Sequence, residues 1–444
     1  VSSSIRGNIA LAVVLTIALL VTTPASAAPG WSPPVNLSGS GKSVSEPQIA
    51  VDAAGEAVAV WKRFDEQHSF IQAASRPPGG AWSAPTTISV SGKGPRSFEL
   101  QLAMNAAGEA VAVWTHERDL DEDTTIQAAS RSPAGSWSAP ATISRSTGLA
   151  GAREAQVVIS ASGEAVAAWN QFHAVKAASR PPGGVWSRPA SLSKGRGDTL
   201  FPQIAMNSAG EAIAIWESYG ASGFADIVQA AARPPGGAWS GPANLSTARQ
   251  EPTSPQVAIA ASGEATVVWA REFFIAIQGV SRSPGGKWSS VRTLAKPNRH
   301  PLEVLGPEDP QVSFEPAGAP VAVWVREVAH SGLVVQTATG GLGGIWSKPT
   351  SISPRPLFAF EPQVALDAAG GAVVTWISRR GYGYDVIKSA SRPPGGAWSP
   401  SMTISPKQGE SRDVRLAANP AGAAVAIWQR ADHGHSFIEA ASLP

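Results

Sequence analysis

Sixteen tryptophans fall along this 444-residue chain in two interleaved series. One series closes a run of small and β-branched residues, at Trp61, Trp114, Trp169, Trp216, Trp269, Trp324, Trp376 and Trp428. The other mostly opens a Trp-Ser pair, at Trp31, Trp82, Trp137, Trp186, Trp239, Trp288, Trp346 and Trp398. Successive members of the first series lie 53, 55, 47, 53, 55, 52 and 52 residues apart. A repeat of this length belongs to propellers or solenoids. It replaces the several domains that length alone suggests with one repetitive domain.

Each unit reads as four short strands. In the first, Gln48–Asp52 alternates, turns at Ala53-Ala54-Gly55-Glu56 and returns as Ala57–Trp61. A third strand, Ile71–Arg76, turns at Pro77-Pro78-Gly79-Gly80 into a fourth running from Trp82 to Ile88. Gly recurs in the first turn of all eight units, where a tight hairpin needs positive φ. No helical period interrupts the strands, so the chain is all-β. The ends discriminate a closed ring from an open array. The last unit stops after three strands, within Val414–Ala417, Ala424–Trp428 and Phe437–Ser442, while Trp31–Leu37 supplies the missing fourth. An eight-bladed β-propeller of four-stranded blades is predicted, with the N-terminal strand completing the C-terminal blade and leaving no open edge.

Composition narrows the function. Without cysteine there is no disulfide scaffold, thiolate zinc site or cysteine nucleophile. Lys plus Arg total 35 against 33 Asp plus Glu, which gives no concentrated basic surface and no case for nucleic acid. Arg6, the apolar run Ile9 to Val21, and the small pair Ala25 and Ala27 read as a secretory signal over residues 1–27. The 13-residue run falls short of the roughly 20 residues that span a bilayer. The expectation is a secreted, extracellular, monomeric protein, 28–444, with no membrane span in the mature chain.

The stretch Ser75-Arg76-Pro77-Pro78-Gly79-Gly80-Ala81-Trp82 resembles the Asp-box of bacterial neuraminidase (sialidase-like) propellers at its Ser, Gly and Trp. Stretches from Ser179, Ser281 and Ser391 match equally; those from Ser130, Ala232 and Thr339 match less well. The box's Asp is replaced in all seven, by Pro77, Ser132, Pro181, Pro234, Ser283, Gly341 and Pro393. The resemblance implies the propeller fold over nearly the whole mature chain, and the Trp-Ser strands are also similar to those of secreted propeller lectins. For sialidases it implies three arginines, a Tyr nucleophile with a Glu partner and an Asp acid/base. The early Arg-Ile-Pro element is absent, and Tyr219, Tyr382 and Tyr384 show no evident Glu partner in the sequence. The expected function is therefore a non-catalytic binding module for an extracellular glycan or surface protein, with a sialidase-like glycoside hydrolase as the alternative.

Alternating strands place the uniform turns on one face and the variable loops on the other. All seven His and all three Tyr fall in the variable set, which is where a specific site is expected. Two residues before the repeated Gln of the innermost strand (Arg415 in the last unit) stand Glu46, Glu99, Glu154, Phe201, Ser254, Asp309, Glu361 and Asp413. This acidic collar is expected to ring the channel mouth and to face a cation or sugar hydroxyls. Seventeen residues further on lie Arg63, His116, Arg271, Arg326 and Arg430, with Gln171, Ser218 and Ser378 in the other units. Hairpin ion pairs Glu46–Arg63, Asp309–Arg326 and Asp413–Arg430 are the structural alternative. Phe64, Phe172, Phe273 and Phe274 are candidate stacking residues. No cofactor is required; Ca²⁺ is the one candidate ion, at Asp119, Asp121 and Asp123, a loop without the Gly and closing Glu of a recognised calcium site.

Overall fold

The computed structural model describes residues 30–39, 43–65, 68–89, 97–118, 123–144, 151–193, 198–220, 225–247, 251–271, 276–296, 308–328, 332–341, 344–354, 358–379 and 383–444. The proposed leader, Asp119, Asp121, Phe273, Phe274 and Tyr382 lie outside them.

Eight four-stranded antiparallel sheets form the predicted eight-bladed propeller. In the first blade, Ser43–Val51 is innermost, followed outward by Ala57–Phe64, Ser69–Arg76 and Thr86–Thr87. Its sequence explains the order: Ala, Val and Ile fill both faces of the middle strands, which are buried from Ala57 to Trp61. The last blade is built from Glu410–Ala418, Ala424–Asp432, His435–Leu443 and the N-terminal Val35–Asn36. Val35 and Asn36 pair with Ala440 and Glu439, and Leu37 N–H donates to the Ile438 carbonyl at 2.7 Å. The two ends of the chain therefore close the ring.

The fourth strands are shorter than the sequence suggests. The Trp82–Ile88 prediction contracts to Thr86–Thr87. Pro85 lacks the N–H that a continuous ladder needs. Side chains take over: Ser75 N–H donates to Ser83 Oγ at 3.1 Å, and Ile71 N–H donates to Ser89 Oγ at 3.0 Å. The second device recurs at Ser144, Ser193, Ser246, Ser353, Ser405 and, across the closure, Ser38.

Among the described residues, eight apolar clusters hold the ring, and each spans the interface between two adjacent blades. Every first-series Trp lies in one of them with no exposed surface. Second-series Trp are half-buried, and Arg76, Arg282 and Arg392 stack over Trp82, Trp288 and Trp398 at 5.4–5.6 Å. The tryptophans are thus interblade packing. Truncating a first-series Trp to Ala costs about 3–5 kcal/mol.

The turn glycines meet two demands. Gly263 has φ of 91°, and a Cβ there would lie 2.8 Å from the Glu211 carboxylate of the preceding blade. Glu264 crosses Gly318 at the same distance. A side chain would clash as well as strain the backbone. Among the described residues, no helix is long and apolar enough to cross a membrane.

Candidate functional site

The innermost strand of every blade carries a β-bulge at the collar. In the first blade Ser45 opposes Lys62, whereas the next aligned pair is Gln48 and Val60. The break recurs between Phe98 and Gln101, Arg153 and Gln156, Leu200 and Gln203, and so on to Arg412 and Arg415. The residue at each break is left-handed: Glu46, Glu99, Glu154, Phe201, Ser254, Asp309, Glu361 and Asp413 have φ between 48° and 58°. Glycine is the usual occupant of such a position. Each non-glycine residue there costs on the order of 1–3 kcal/mol, which the surroundings must offset.

The collar carboxylates provide part of that offset. A bulge leaves a backbone N–H without a ladder partner, and an acid from the preceding blade accepts it. Glu46 Oε2 accepts Leu100 N–H at 3.2 Å, Glu99 accepts Glu154 N–H, and Glu154 Oε2 accepts Phe201 N–H at 2.6 Å. Asp309 accepts Glu361 N–H. The collar is therefore, in part, an interblade latch of charge-assisted hydrogen bonds.

The bulge also shifts what stands opposite. Glu46 pairs with Lys62 at 3.6 Å, not Arg63, and Glu99 accepts Thr115 Oγ1 at 2.7 Å. Asn170 donates to Glu154. Each partner immediately follows a first-series Trp. Arg430 opposes Ser411 and pairs with Asp432 and Glu439, not Asp413. The 17-residue offset ignored the bulge, so its hairpin pairs Glu46–Arg63 and Asp413–Arg430 are corrected.

In the fourth blade the collar residue is Phe201, which cannot accept a hydrogen bond. A carboxylate reappears across the hairpin at Glu217, next to Trp216. Glu217 Oε1 accepts Ser254 N–H at 3.0 Å, and Tyr219 donates its hydroxyl to Glu217 Oε2 at 2.8 Å. Glu217 is only 2% exposed. The strand's two-residue period brings residues 217 and 219 onto one side. Tyr219 thus has the Glu partner that the sequence reading missed. The available signal was the exchange of the collar acid for one immediately after the Trp of the same blade.

These groups meet at a cavity of 550 Å³ at the mouth of the central channel. Its lining includes all seven repeated glutamines, from Gln48 to Gln363, with Arg415 in the eighth place. Phe201, Ser254, Asp309 and Glu361 of the collar line it, together with Glu217 and Tyr219. Glu46, Glu99, Glu154 and Asp413 are not in that lining, nor are Arg63, His116, Arg271, Arg326 and Arg430. Phe201 is 48% exposed and offers an apolar ring beside the polar groups. Phe64 and Phe172 are exposed elsewhere on the variable face, Phe172 beside His173 at 5.0 Å between ring centroids.

Burial raises the Asp309 and Glu361 carboxyls above their ordinary pKa, and the neighbouring charge of Asp413 adds to the effect at Glu361. Burial, reinforced by Glu99, also raises Glu154, although the Phe201 N–H opposes it. The cavity thus combines amide donors and acceptors, partly protonatable acids and an aromatic face, a set suited to polyhydroxylated ligands. Among the described residues, no group of three or more His, Cys, Asp or Glu is arranged to hold a metal ion. Asp123 opens the strand Asp123–Arg131.

No protein-family model and no curated protein matches the sequence. Among solved structures, the chain is similar to a polysaccharide lyase of family PL25, an ulvan lyase, at 10% identity and a TM-score of 0.49, covering 91% of this chain and 95% of that one. It is similar to the β-propeller domain of the Trilobed protease from Pyrococcus furiosus at 6% identity and a TM-score of 0.46, covering 82% and 96%. A leech intramolecular trans-sialidase is similar at 11% identity and a TM-score of 0.37, covering 90% and 67%. None of them lends a functional residue to this chain.

Proposed function

We propose that this protein is a secreted, non-catalytic propeller that binds an extracellular carbohydrate over its channel mouth. The observation that carries the reading is the 550 Å³ cavity, where the glutamine ring, Asp309 and Glu361 meet the exposed face of Phe201. Glutamine amides and carboxylates match the paired donors and acceptors of sugar hydroxyls, and an aromatic ring matches a sugar's apolar face. Arg6, the Ile9 to Val21 run and Ala25/Ala27 support export. A glycan array probed with residues 28–444, with and without Ca²⁺, tests the reading. Saturable binding to one glycan class, lost in Phe201→Ala, is expected. Silence across the array refutes the carbohydrate reading and favours a surface protein.

One observation favours a second reading, a sialidase-like glycoside hydrolase: the Tyr219–Glu217 hydrogen bond within the cavity. Glu217 is placed to take the phenol proton as Tyr219 attacks a sugar carbon, and Asp309 or Glu361 has the raised pKa suited to a general acid. Arg415 is the one arginine among the described lining residues, against the three that grip a sialic-acid carboxylate in the family resembled. Hydrolysis of aryl glycosides that disappears in Tyr219→Phe supports this reading; its absence across neutral and sialyl substrates refutes it.

A further inference from the structure

The uniform face carries a second repeated device. The hairpin Glu of one blade meets the Arg that closes the third strand of the next. Glu164–Arg233 and Glu211–Arg282 are 2.6 Å apart, and Glu56 pairs with Arg131 in the same way. Glu109 and Arg180 attract across the second and third blades. Glu315, from the other end of its turn, reaches Arg392 at 2.5 Å. The guanidinium side chains of the four close pairs are no more than 12% exposed.

Between the fifth and sixth blades only half of the pair is present. Glu264 is in place across Gly318, but the arginine position is Gly340. Among the described residues, the Glu264 carboxylate has no hydrogen bond or ion pair. Gly340 has a local cause. Pro320 replaces the alanine found opposite in other blades, and a Cβ on Gly340 would lie 2.8 Å from Pro320 Cγ and 3.1 Å from the Trp346 ring. The exchange leaves a cavity of 230 Å³ lined by Glu264, Ser281, Arg282, Lys287, Gly318 and Pro320, among others. Arg282 is already committed to Glu211, and Lys287 forms no ion pair among the described residues.

The geometry points to this slot as a binding site for a guanidinium group supplied from outside the blade. Glu264 offers the two carboxylate oxygens that match a guanidinium fork, in the place where the same fold seats its own arginines. The slot lies on the face opposite the channel mouth and is independent of the carbohydrate reading.

Isothermal titration with methylguanidinium, Ac-Ala-Arg-Ala-NH₂ and its citrulline counterpart tests it. Saturable binding of the arginine peptide is expected, at least tenfold stronger than that of citrulline, a difference of about 1.4 kcal/mol, because only the charged guanidinium makes charge-assisted hydrogen bonds to the carboxylate. Glu264→Gln is expected to lose that preference. The double change Pro320→Ala with Gly340→Arg is expected to fill the slot, abolish binding and raise the melting temperature. Equal affinity for methylguanidinium and the peptide assigns a small cation; tighter peptide binding assigns an arginine of a partner polypeptide. Equal binding of arginine and citrulline peptides, or undiminished binding in the double variant, overturns the site.

Discussion

Replacing Glu217 tests whether the displaced carboxylate holds the fourth and fifth blades together. It is 2% exposed, accepts Ser254 N–H at 3.0 Å and accepts the Tyr219 hydroxyl at 2.8 Å. A hydrogen bond to a charged acceptor contributes about 1.5–3 kcal/mol, so two give about 3–6 kcal/mol in gross terms. Removing the carboxylate also removes its own desolvation cost, which reduces the net loss in Glu217→Ala to about 2–4 kcal/mol. Glu217→Gln keeps the shape and one acceptor oxygen, and is expected to cost about 1–2 kcal/mol. The assay is urea unfolding followed by tryptophan fluorescence, with equal slopes required before midpoints are compared. A double-mutant cycle with Tyr219→Phe should give a coupling of about 0.5–3 kcal/mol. A Glu217→Ala variant as stable as the parent, or a Gln variant that costs as much as Ala, would show that the carboxylate does not hold these blades together.

Three further outcomes follow from the same geometry. Burial and Asp413 raise the folded-state pKa of Glu361, so its contribution to stability is complete below the ordinary carboxylate pKa and is lost as pH rises through the raised value. Glu361→Gln should therefore be more stable than the parent at pH 7 and lose that advantage in acid, as read from urea midpoints at both pH values; a less stable variant at pH 7 contradicts the assignment. Gly263→Ala should destabilise more than Gly79→Ala: both have positive φ, but only Gly263 lies under a neighbouring carboxylate, and equal melting temperatures would refute the clash. Deleting residues 30–38 removes the strand that pairs with Ala440 and Glu439, so light scattering should show self-association through the bared edge; a stable monomer would show that closure is dispensable.

The eight units, their turns and the ring closure were legible because each signal is local. A Trp after a β-branched run, a Gly in a four-residue turn and a strand missing at one end and present at the other need no knowledge of spatial neighbours. The collar positions were legible as a pattern, but their use was not. Glu99 and Glu154 are 55 residues apart, and their hydrogen bond exists because adjacent blades align their bulges. The Glu46–Arg63 pairing failed because a bulge within the first blade's own hairpin brings Glu46 to Lys62 instead. Glu217 carries no mark in the sequence because its importance depends on Phe201, at the bulge beside its partner Leu200, lacking an oxygen.

Local chemistry in the sequence thus determined the repeat, the strand content, the closed ring and the face that carries variation. Tertiary structure alone decided which carboxylates latch blades and which line the cavity. It also decided where an arginine is missing beside its glutamate. Those outcomes depend on the register between strands from different units, which is set by interblade packing and is not encoded in any one stretch of chain.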